Sequence, residues 1–172
     1  GGSDYEFASL DIYGADRDEL RRNNPALKIP MLIDDEQSIY DSRVIARYLS
    51  QKMGFADLSW AQENQLTLID AANDSMVTIA LSKKSGLATD SDIMFYGLQH
   101  ERIERSIDAL SAMAAEGAFD EWHYPSICLY CLVDWAEMRG LFDFSGHAPL
   151  LELKQRFKDK PSVAETDPRQ AG

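Results

Sequence analysis

The fold of this chain is decided by two short stretches, NPALKIPML at residues 24–32 and SIYDSR at residues 38–43. The first places an Ile29-Pro30 step at the entrance of a short apolar strand, and X-Pro steps are the ordinary place for a cis peptide bond. A proline there turns the preceding backbone N–H and C=O outward, where an extended peptide can pair with them. The second places Asp41-Ser42 at the start of an amphipathic helix, whose free N–H groups attract a carboxylate. Together the two motifs predict a site for a small peptide with a carboxylate at one end.

The same residues carry a resemblance to a known family. NPALKIPML followed by DDEQSIYDSRVIARYL resembles the glutathione-binding half of the glutathione transferases. The family pattern is roughly N-P-x-G-K-[VI]-P-x-L, then D-[GD]-x-x-[LI]-x-[EDQ]-S-x-x-I-x-x-Y-L. The combination is specific, whereas either half alone is weak. The chain departs from the pattern at Leu27, where the family often has glycine, and we expect an altered loop before Lys28.

The resemblance implies that five residues hold glutathione, which would be the co-substrate. Ile29 and Pro30 would hold its cysteinyl backbone by main-chain pairing. Ser42 would bind the γ-glutamyl carboxylate, Asp41 the γ-glutamyl amino group, and Lys28 the glycyl carboxylate. Each residue also has a simpler interpretation: a loop-to-strand proline, an N-cap at Asp41 or Ser42, and a solvated surface lysine. Capping and ligand binding are compatible at the same residues.

Composition limits the partners that the chain can have. The 172 residues include 17 basic and 29 acidic side chains, for a formal net charge of −12. An acidic surface repels phosphate backbones, so we expect no nucleic-acid partner. The longest apolar run, residues 127–133, falls far short of the ~20 residues that span a bilayer, so we expect no membrane insertion. Two cysteines without a disulfide framework fit a reducing cytoplasm.

The apolar pattern predicts an α+β chain in two parts, in the element order of the glutathione transferases. We expect a partial thioredoxin-like α/β domain at residues 4–54 and, after a linker, an all-α helical bundle at residues 59–168. The elements expected in the first part are a strand at 5–13, a helix at 17–22, a hairpin with strands at 28–33 and 38–40, and a helix at 41–53. The helices expected in the second part are at 59–84, 90–115, 124–139 and 149–158.

The family's first strand and first helix have no counterpart in this sequence, because residue 5 aligns with the start of the family's second strand. We therefore expect a preceding N-terminal segment in the full protein. The Tyr, Ser or Cys with which the family activates the glutathione thiol would lie in that segment. Tyr5 and Ser9 are the nearest hydroxyls in the present chain. Without the first strand, the strand at 28–33 would expose an unpaired edge.

Other chemically active side chains receive structural interpretations. Cys128 and Cys131 have C-x-x-C spacing, but they lie within an apolar helix, away from the helix N-terminus that a redox pair prefers. We interpret them as buried core cysteines rather than redox or zinc ligands. Asp70 and Asp74 could reach a neighbouring subunit's glutathione in a dimer of the family type, and a solvated helix face is the alternative.

The histidines and tryptophans have no motif that assigns them chemistry. His100 lies on an apolar helix stripe and is predicted to be packed or at an interface, while His147 lies in a loop without an assigned partner. His123 and Ser126 stand where the family usually has a Ser/Thr-x-x-Asp capping box, so we expect a weaker helix cap. The tryptophans are expected in the core or at an interface; they are Trp60, Trp122 and Trp135.

The resemblance implies a cytoplasmic, homodimeric glutathione transferase that joins the glutathione thiolate to a small electrophilic hydrophobic substrate, without a metal. The acceptor site would lie between the two domains, lined by the first two long helices. The alternative is a non-catalytic binding or scaffold module with the same architecture. A full-length form without a hydroxyl or thiol at the start of its first helix would favour that alternative. A glutathione-dependent reductase is a third possibility and needs a cysteine at the same position.

Overall fold

A computed structural model describes residues 5–169, and the chain divides into two units between Asp57 and Leu58. The first unit contains α1 (Arg17–Asn23), β1 (Met31–Asp34), β2 (Gln37–Tyr40) and α2 (Ser42–Met53). The second contains α3 (Trp60–Lys84), α4 (Met94–Ala115), α5 (Tyr124–Met138), α6 (Ala148–Phe157) and α7 (Pro161–Glu165). A small antiparallel sheet with helices, followed by an all-helical unit, is the α+β architecture that the sequence predicted.

The sheet of the first unit is a hairpin in which β1 and β2 pair antiparallel. Met31 lies opposite Tyr40 and Asp34 lies opposite Gln37, so two residues form the turn. The first of them, Asp35, has a φ of 53°, in the left-handed region that Asp tolerates better than most residues. β1 begins three residues later than predicted, because Pro30 has no N–H to donate to a ladder and the Lys28 carbonyl is bonded elsewhere.

The predicted strand at residues 5–13 is wrong. The segment has no strand structure, and its aromatic side chains lie in solvent, with Tyr5 80% and Phe7 78% exposed. A strand forms only where a neighbouring strand completes its backbone hydrogen bonds. Within residues 5–169 the only ladder joins β1 to β2, so this segment has no such neighbour.

The second unit is built around the packing of α3, α4, α5 and α6. α3 packs against α4 and α5, and α6 packs against the same two helices. α3 begins with a capping box in which Ser59 and Gln62 each bond the other's backbone N–H. No helix within residues 5–169 has the length and apolar character that a bilayer span requires. The largest buried side chains of this core are Leu66, Met76, Phe119, Ile107, Leu110, Leu129, Val133, Leu150 and Leu153.

The N-terminus of α5 has a one-way cap instead of a capping box. His123 Nδ1 accepts a hydrogen bond from the backbone N–H of Ser126 at 3.3 Å. The Ser126 hydroxyl donates to the Glu121 carbonyl at 2.7 Å, rather than pairing with the backbone of His123. The reciprocal half of the box is therefore absent at this helix end, in line with the sequence-based expectation. The five-residue helix α7 was not predicted, because one turn is too short to show a period.

A polar cluster ties α2 to the end of β1. Asp34 accepts hydrogen bonds from the Tyr48 hydroxyl at 2.7 Å and from the Lys52 ammonium. These bonds hold the pKa of Asp34 below its ordinary value of 3.8, and the bond from Lys52 has the larger effect. The same bonds raise the pKa of Tyr48 and of Lys52.

Asp34→Asn is expected to loosen α2 at neutral pH, because the amide replaces the ionised acceptor of both bonds. A carboxyl group with a lowered pKa stabilises the fold above its unfolded pKa, and this contribution is lost as pH falls through the folded pKa. The difference between the wild type and the variant should therefore be full at neutral pH and shrink as pH falls below 3.8 and through the lowered pKa of Asp34. The difference is measured from the hydrogen-exchange rates of the α2 amides in the two proteins, corrected for the intrinsic exchange rate at each pH. Asp35→Asn in the adjacent turn is the control, and a difference that persists in acid would contradict the assignment.

Candidate functional site

The hairpin register brings the two sequence motifs to one end of the sheet. Because Met31 pairs with Tyr40, the chain before Met31 and the chain after Tyr40 leave the hairpin side by side. Ile29-Pro30 and Asp41-Ser42 therefore lie next to each other, at the end opposite the turn. Antiparallel strands lie roughly 5 Å apart, so one small peptide can reach both motifs. We refer to these four residues as the open end of the hairpin.

Ile29 offers an unpaired stretch of backbone at the open end. The Ile29–Pro30 peptide bond is cis, and the Ile29 residue is 54% exposed. Neither its N–H nor its C=O bonds to another residue among those that the structure describes. The pair of groups can therefore serve as one rung of a ladder for an extended peptide.

The loop before Ile29 is fixed by the side chain of Asn24. This side chain is almost completely buried, and the residue is 1% exposed. Its Nδ2 donates to the Lys28 carbonyl at 2.6 Å, and its Oδ1 accepts from the Ala26 N–H at 2.9 Å. Its backbone N–H bonds to the carbonyl of Leu20, a fully buried residue of α1. Asn24 thus connects α1 to the site, a role that the sequence analysis missed although the residue begins the motif.

Leu27 explains the departure from the family pattern. Its φ is 55°, in the left-handed region that glycine enters without cost. For a residue with a side chain this conformation costs roughly 1–2 kcal/mol. The loop therefore has the shape that a glycine would favour, and leucine adopts it under strain.

Asp41 and Ser42 begin α2 with different roles. Asp41 Oδ1 accepts from the N–H of Arg43 at 2.9 Å and of Val44 at 3.4 Å, which is an N-cap. Asp41 has a φ of 74° and a ψ of 135°, a sparsely populated region that costs about 1–3 kcal/mol and that clusters at ligand sites. Ser42 is exposed, and its hydroxyl has no hydrogen bond with another residue in the described range 5–169. One residue caps the helix, and the next presents a hydroxyl to solvent.

The electrostatics of the open end suit a ligand with two anionic groups. The start of α2 carries the positive end of the helix dipole beside the free hydroxyl of Ser42. Lys28, on the other side of the unpaired Ile29 backbone, is exposed and forms no ion pair with a described residue. The arrangement therefore offers two places for carboxylates, with peptide pairing between them.

The interpretation of both cysteines as buried is wrong for Cys131. Both thiols are free; Cys128 is half-buried and Cys131 reaches the surface. The protein packed around the Cys131 thiol raises its pKa by desolvation, and the charge of Asp134 adds to that effect. A raised thiol pKa opposes nucleophilic or redox chemistry. The side chains of residues 5–169 hold no group of three or more His, Cys, Asp or Glu placed for a metal ion.

The remaining candidates have structural contacts or are exposed. His100 Nε2 lies 3.0 Å from the Thr89 carbonyl, and His147 Nε2 lies 3.0 Å from Asp108 Oδ1. Trp60 is 87% exposed, so it is not a core residue and the interface alternative stays a prediction, whereas Trp122 and Trp135 pack against the core. Asp70 is half-buried, Asp74 is exposed, and the hydroxyl residues Tyr5 and Ser9 are exposed in the unpaired N-terminal segment.

Comparison with known proteins agrees with this architecture. Residues 2–56 match the family model of the glutathione S-transferase N-terminal domain. Comparison with curated proteins finds no match. A glutathione S-transferase of Methylobacterium radiotolerans, solved with glutathione sulfonate, is 20% identical with a TM-score of 0.72, covering 85% of this chain and 74% of that one.

Two further solved structures are similar to the chain. A glutathione transferase family member from Pseudomonas fluorescens Pf-5 with bound glutathione is 24% identical with a TM-score of 0.72, covering 92% of this chain and 82% of that one. Glutathione S-transferase 1-6 from Anopheles dirus is 20% identical with a TM-score of 0.72, covering 92% and 79%. The chain has the fold of the glutathione transferases.

Asn24→Ala is expected to destabilise the first unit by about 1–3 kcal/mol, because it removes two part-buried hydrogen bonds, to the Lys28 carbonyl and from the Ala26 N–H. The loop that carries Lys28 and Ile29 should exchange its amide hydrogens faster. Asn23→Ala is the matched control, since that side chain only reaches Glu19 at 3.5 Å, and it should cost less than about 0.5 kcal/mol. Equal effects of the two substitutions on hydrogen exchange of the first unit would contradict the role of Asn24.

Proposed function

We propose that the open end of the hairpin binds glutathione and that the protein is a glutathione transferase. It would join the glutathione thiolate to a small electrophilic hydrophobic substrate. The observation that carries the proposal is the register of the hairpin, which sets the unpaired backbone of Ile29 beside the free hydroxyl of Ser42. Support comes from the family match of residues 2–56 and from glutathione bound to structural neighbours.

Each part of the tripeptide has a partner of matching chemistry. The cysteinyl backbone would exchange hydrogen bonds with the N–H and C=O of Ile29, which Pro30 holds at the strand entrance. The γ-glutamyl carboxylate would accept from the Ser42 hydroxyl and from the free N–H groups at the start of α2. The second carboxylate oxygen of Asp41 would take the γ-glutamyl amino group. Lys28 would pair with the glycyl carboxylate.

These five residues bind and position the co-substrate. The reacting group is its thiolate, which forms the new carbon–sulfur bond as a leaving group departs or a polarised double bond is saturated. Stabilising the thiolate calls for a hydrogen-bond donor or a cation near the sulfur. None of the five side chains is assigned that role, so the proposal covers binding by these residues and leaves activation to another group.

We propose further that the protein is a cytoplasmic homodimer, as the family resemblance implies. Sedimentation velocity should give twice the chain mass of 19.4 kDa at micromolar concentration. A single species of chain mass under those conditions would contradict the dimer.

Ser42→Ala is expected to weaken glutathione binding roughly 10- to 100-fold, because a hydrogen bond to a charged group contributes about 1.5–3 kcal/mol. Isothermal titration calorimetry with the wild-type chain and the variant measures the change. Ser38→Ala is the matched control. That serine is also exposed and lies on the same hairpin, towards the turn, opposite Ile33. It should leave the affinity unchanged.

Two outcomes would change the proposal. A folded wild-type chain that does not bind glutathione, or one in which both serine variants bind equally well, would contradict the assigned site. Conjugation is measured separately with an aryl halide such as 1-chloro-2,4-dinitrobenzene. Glutathione binding that depends on Ser42, in a protein that does not accelerate conjugation, would favour the alternative of a non-catalytic binding module.

A further inference from the structure

Leu27 occupies a strained backbone position without the burial that would explain a leucine there. Its φ of 55° lies in the left-handed region that glycine enters freely. The residue keeps 40% of its surface exposed, so the side chain gains only part of the stabilisation that a buried leucine provides. Its N–H donates to the Asn24 carbonyl at 3.0 Å, a bond that a glycine would make equally well. Strained residues cluster at ligand sites, so the leucine side chain points to a role in binding.

The place of Leu27 in the loop decides which part of a bound peptide it meets. In the proposed site the γ-glutamyl group lies at Ser42 and the cysteinyl backbone at Ile29. The ligand therefore runs from Ser42 towards Lys28, antiparallel to the incoming loop. An extended peptide advances roughly 3.3 Å per residue, so its third residue lies alongside Lys28 and Leu27. The third residue of glutathione is glycine, which has no side chain to contact the leucine.

The two ends of the proposed site hold a ligand with different strictness. At the γ-glutamyl end, Asp41 caps α2 with bonds of 2.9 and 3.4 Å, and Ser42 is the first residue of the same helix. At the other end the assigned partner is Lys28, an exposed side chain on a flexible stem. Ion pairs between exposed groups contribute little, and the stem lets the ammonium follow a displaced carboxylate. A third residue larger than glycine can therefore keep this partner.

The surface around Leu27 is exposed and mostly apolar. All six residues from 25 to 30 are exposed, and Lys28 is the only charged residue among them. Ile29, two residues beyond Leu27, is 54% exposed and also aliphatic. Each methylene group removed from water contributes roughly fourfold in affinity. An aliphatic side chain on the third residue of a ligand would gain from this surface, whereas glycine does not.

We propose that the site takes γ-glutamylcysteinyl peptides as a class, and that Leu27 makes it prefer an aliphatic third residue over the glycine of glutathione. This inference rests on the glutathione site proposed above and defines its ligands more closely. The γ-glutamyl and cysteinyl groups bind as they do in glutathione. The side chain of the third residue packs against Leu27 and Ile29, and its carboxylate pairs with Lys28.

The test compares three reduced tripeptides that differ only in the third residue, by calorimetry on the whole chain. They are glutathione, γ-glutamylcysteinylvaline and γ-glutamylcysteinylthreonine. We expect the valine peptide to bind at least about threefold more tightly than glutathione. Threonine has nearly the shape of valine but carries a hydroxyl that loses water on burial, so its peptide should bind at least about twofold more weakly than the valine peptide.

Substitutions at Leu27 assign the preference to this side chain. Leu27→Ala keeps a strained residue in the loop but removes most of the apolar surface, so the ratio of valine-peptide affinity to glutathione affinity should fall at least about twofold. Leu27→Gly should lower the ratio in the same way. It suits the left-handed backbone, so it serves where Leu27→Ala alters folding. The ratio cancels any effect of a substitution on backbone contacts that both peptides share.

Ile33→Ala is the matched control. Ile33 is 57% exposed and aliphatic, and it lies towards the turn of the same hairpin, opposite Ser38. Its loss should leave the affinity ratio unchanged.

Three results would overturn the proposal: equal binding of glutathione and the valine peptide, weaker binding of the valine peptide, and a preference that persists in both Leu27 variants. Weaker binding that Leu27→Ala restores would show that the leucine excludes a side chain instead of binding it.

Failure of the glutathione site itself gives a different pattern. If the folded chain binds none of the three peptides, or binds them as tightly after Ser42→Ala as before, the assigned site is wrong and the proposed preference with it. If glutathione binding depends on Ser42 but the third residue has no effect, the site stands and only the preference is wrong.

Discussion

The pairing of Met31 with Tyr40 is the contact on which the candidate site depends. It sets the register of the only ladder within residues 5–169, and that register decides which residues leave the sheet together. The bonds of Asp34 to Tyr48 and Lys52 then fix α2 against the hairpin. Asn24 fixes the incoming loop from the other side. Four side chains that do not contact the proposed ligand therefore determine where its partners stand.

Two residues at the candidate site have backbone conformations that are unfavourable for residues with a side chain. Leu27 and Asp41 both have positive φ, at 55° and 74°. The strain of order 1–3 kcal/mol at each residue is comparable to what two or three net hydrogen bonds contribute. Asn24 and Asp41 each make such bonds locally, so the strain is offset where it arises. These bonds hold the loop in its binding conformation before a ligand binds. Such preorganisation lowers the entropy cost of binding.

The parts of the structure that the sequence predicted are those with local signals. Helix periodicity placed α3 and α5 within about two residues, and proline with N-cap chemistry placed the hairpin and the start of α2. The strand at 5–13 failed because an apolar run does not reveal whether a partner strand is present. The dihedral angles of Asp41 and the burial of the Asn24 amide were not predicted, for a related reason. Residue type alone does not reveal a backbone conformation or a long-range environment. A cavity beside α5 depends on how residues 158–169 return across that helix, which no local pattern encodes.

The two-residue turn at Asp35-Glu36 constrains how this chain can vary in length. Side chains alternate between faces along a strand, so one inserted or deleted residue in the turn would shift the register by one step and reverse the faces of β2. The carboxylate and hydroxyl at the other end of the hairpin would then stand against a different stretch of backbone. Substitutions in the turn can be tolerated wherever the left-handed angle of Asp35 is acceptable. A change in the length of this exposed turn is therefore predicted to disturb the opposite end of the hairpin more than a change of residue type does.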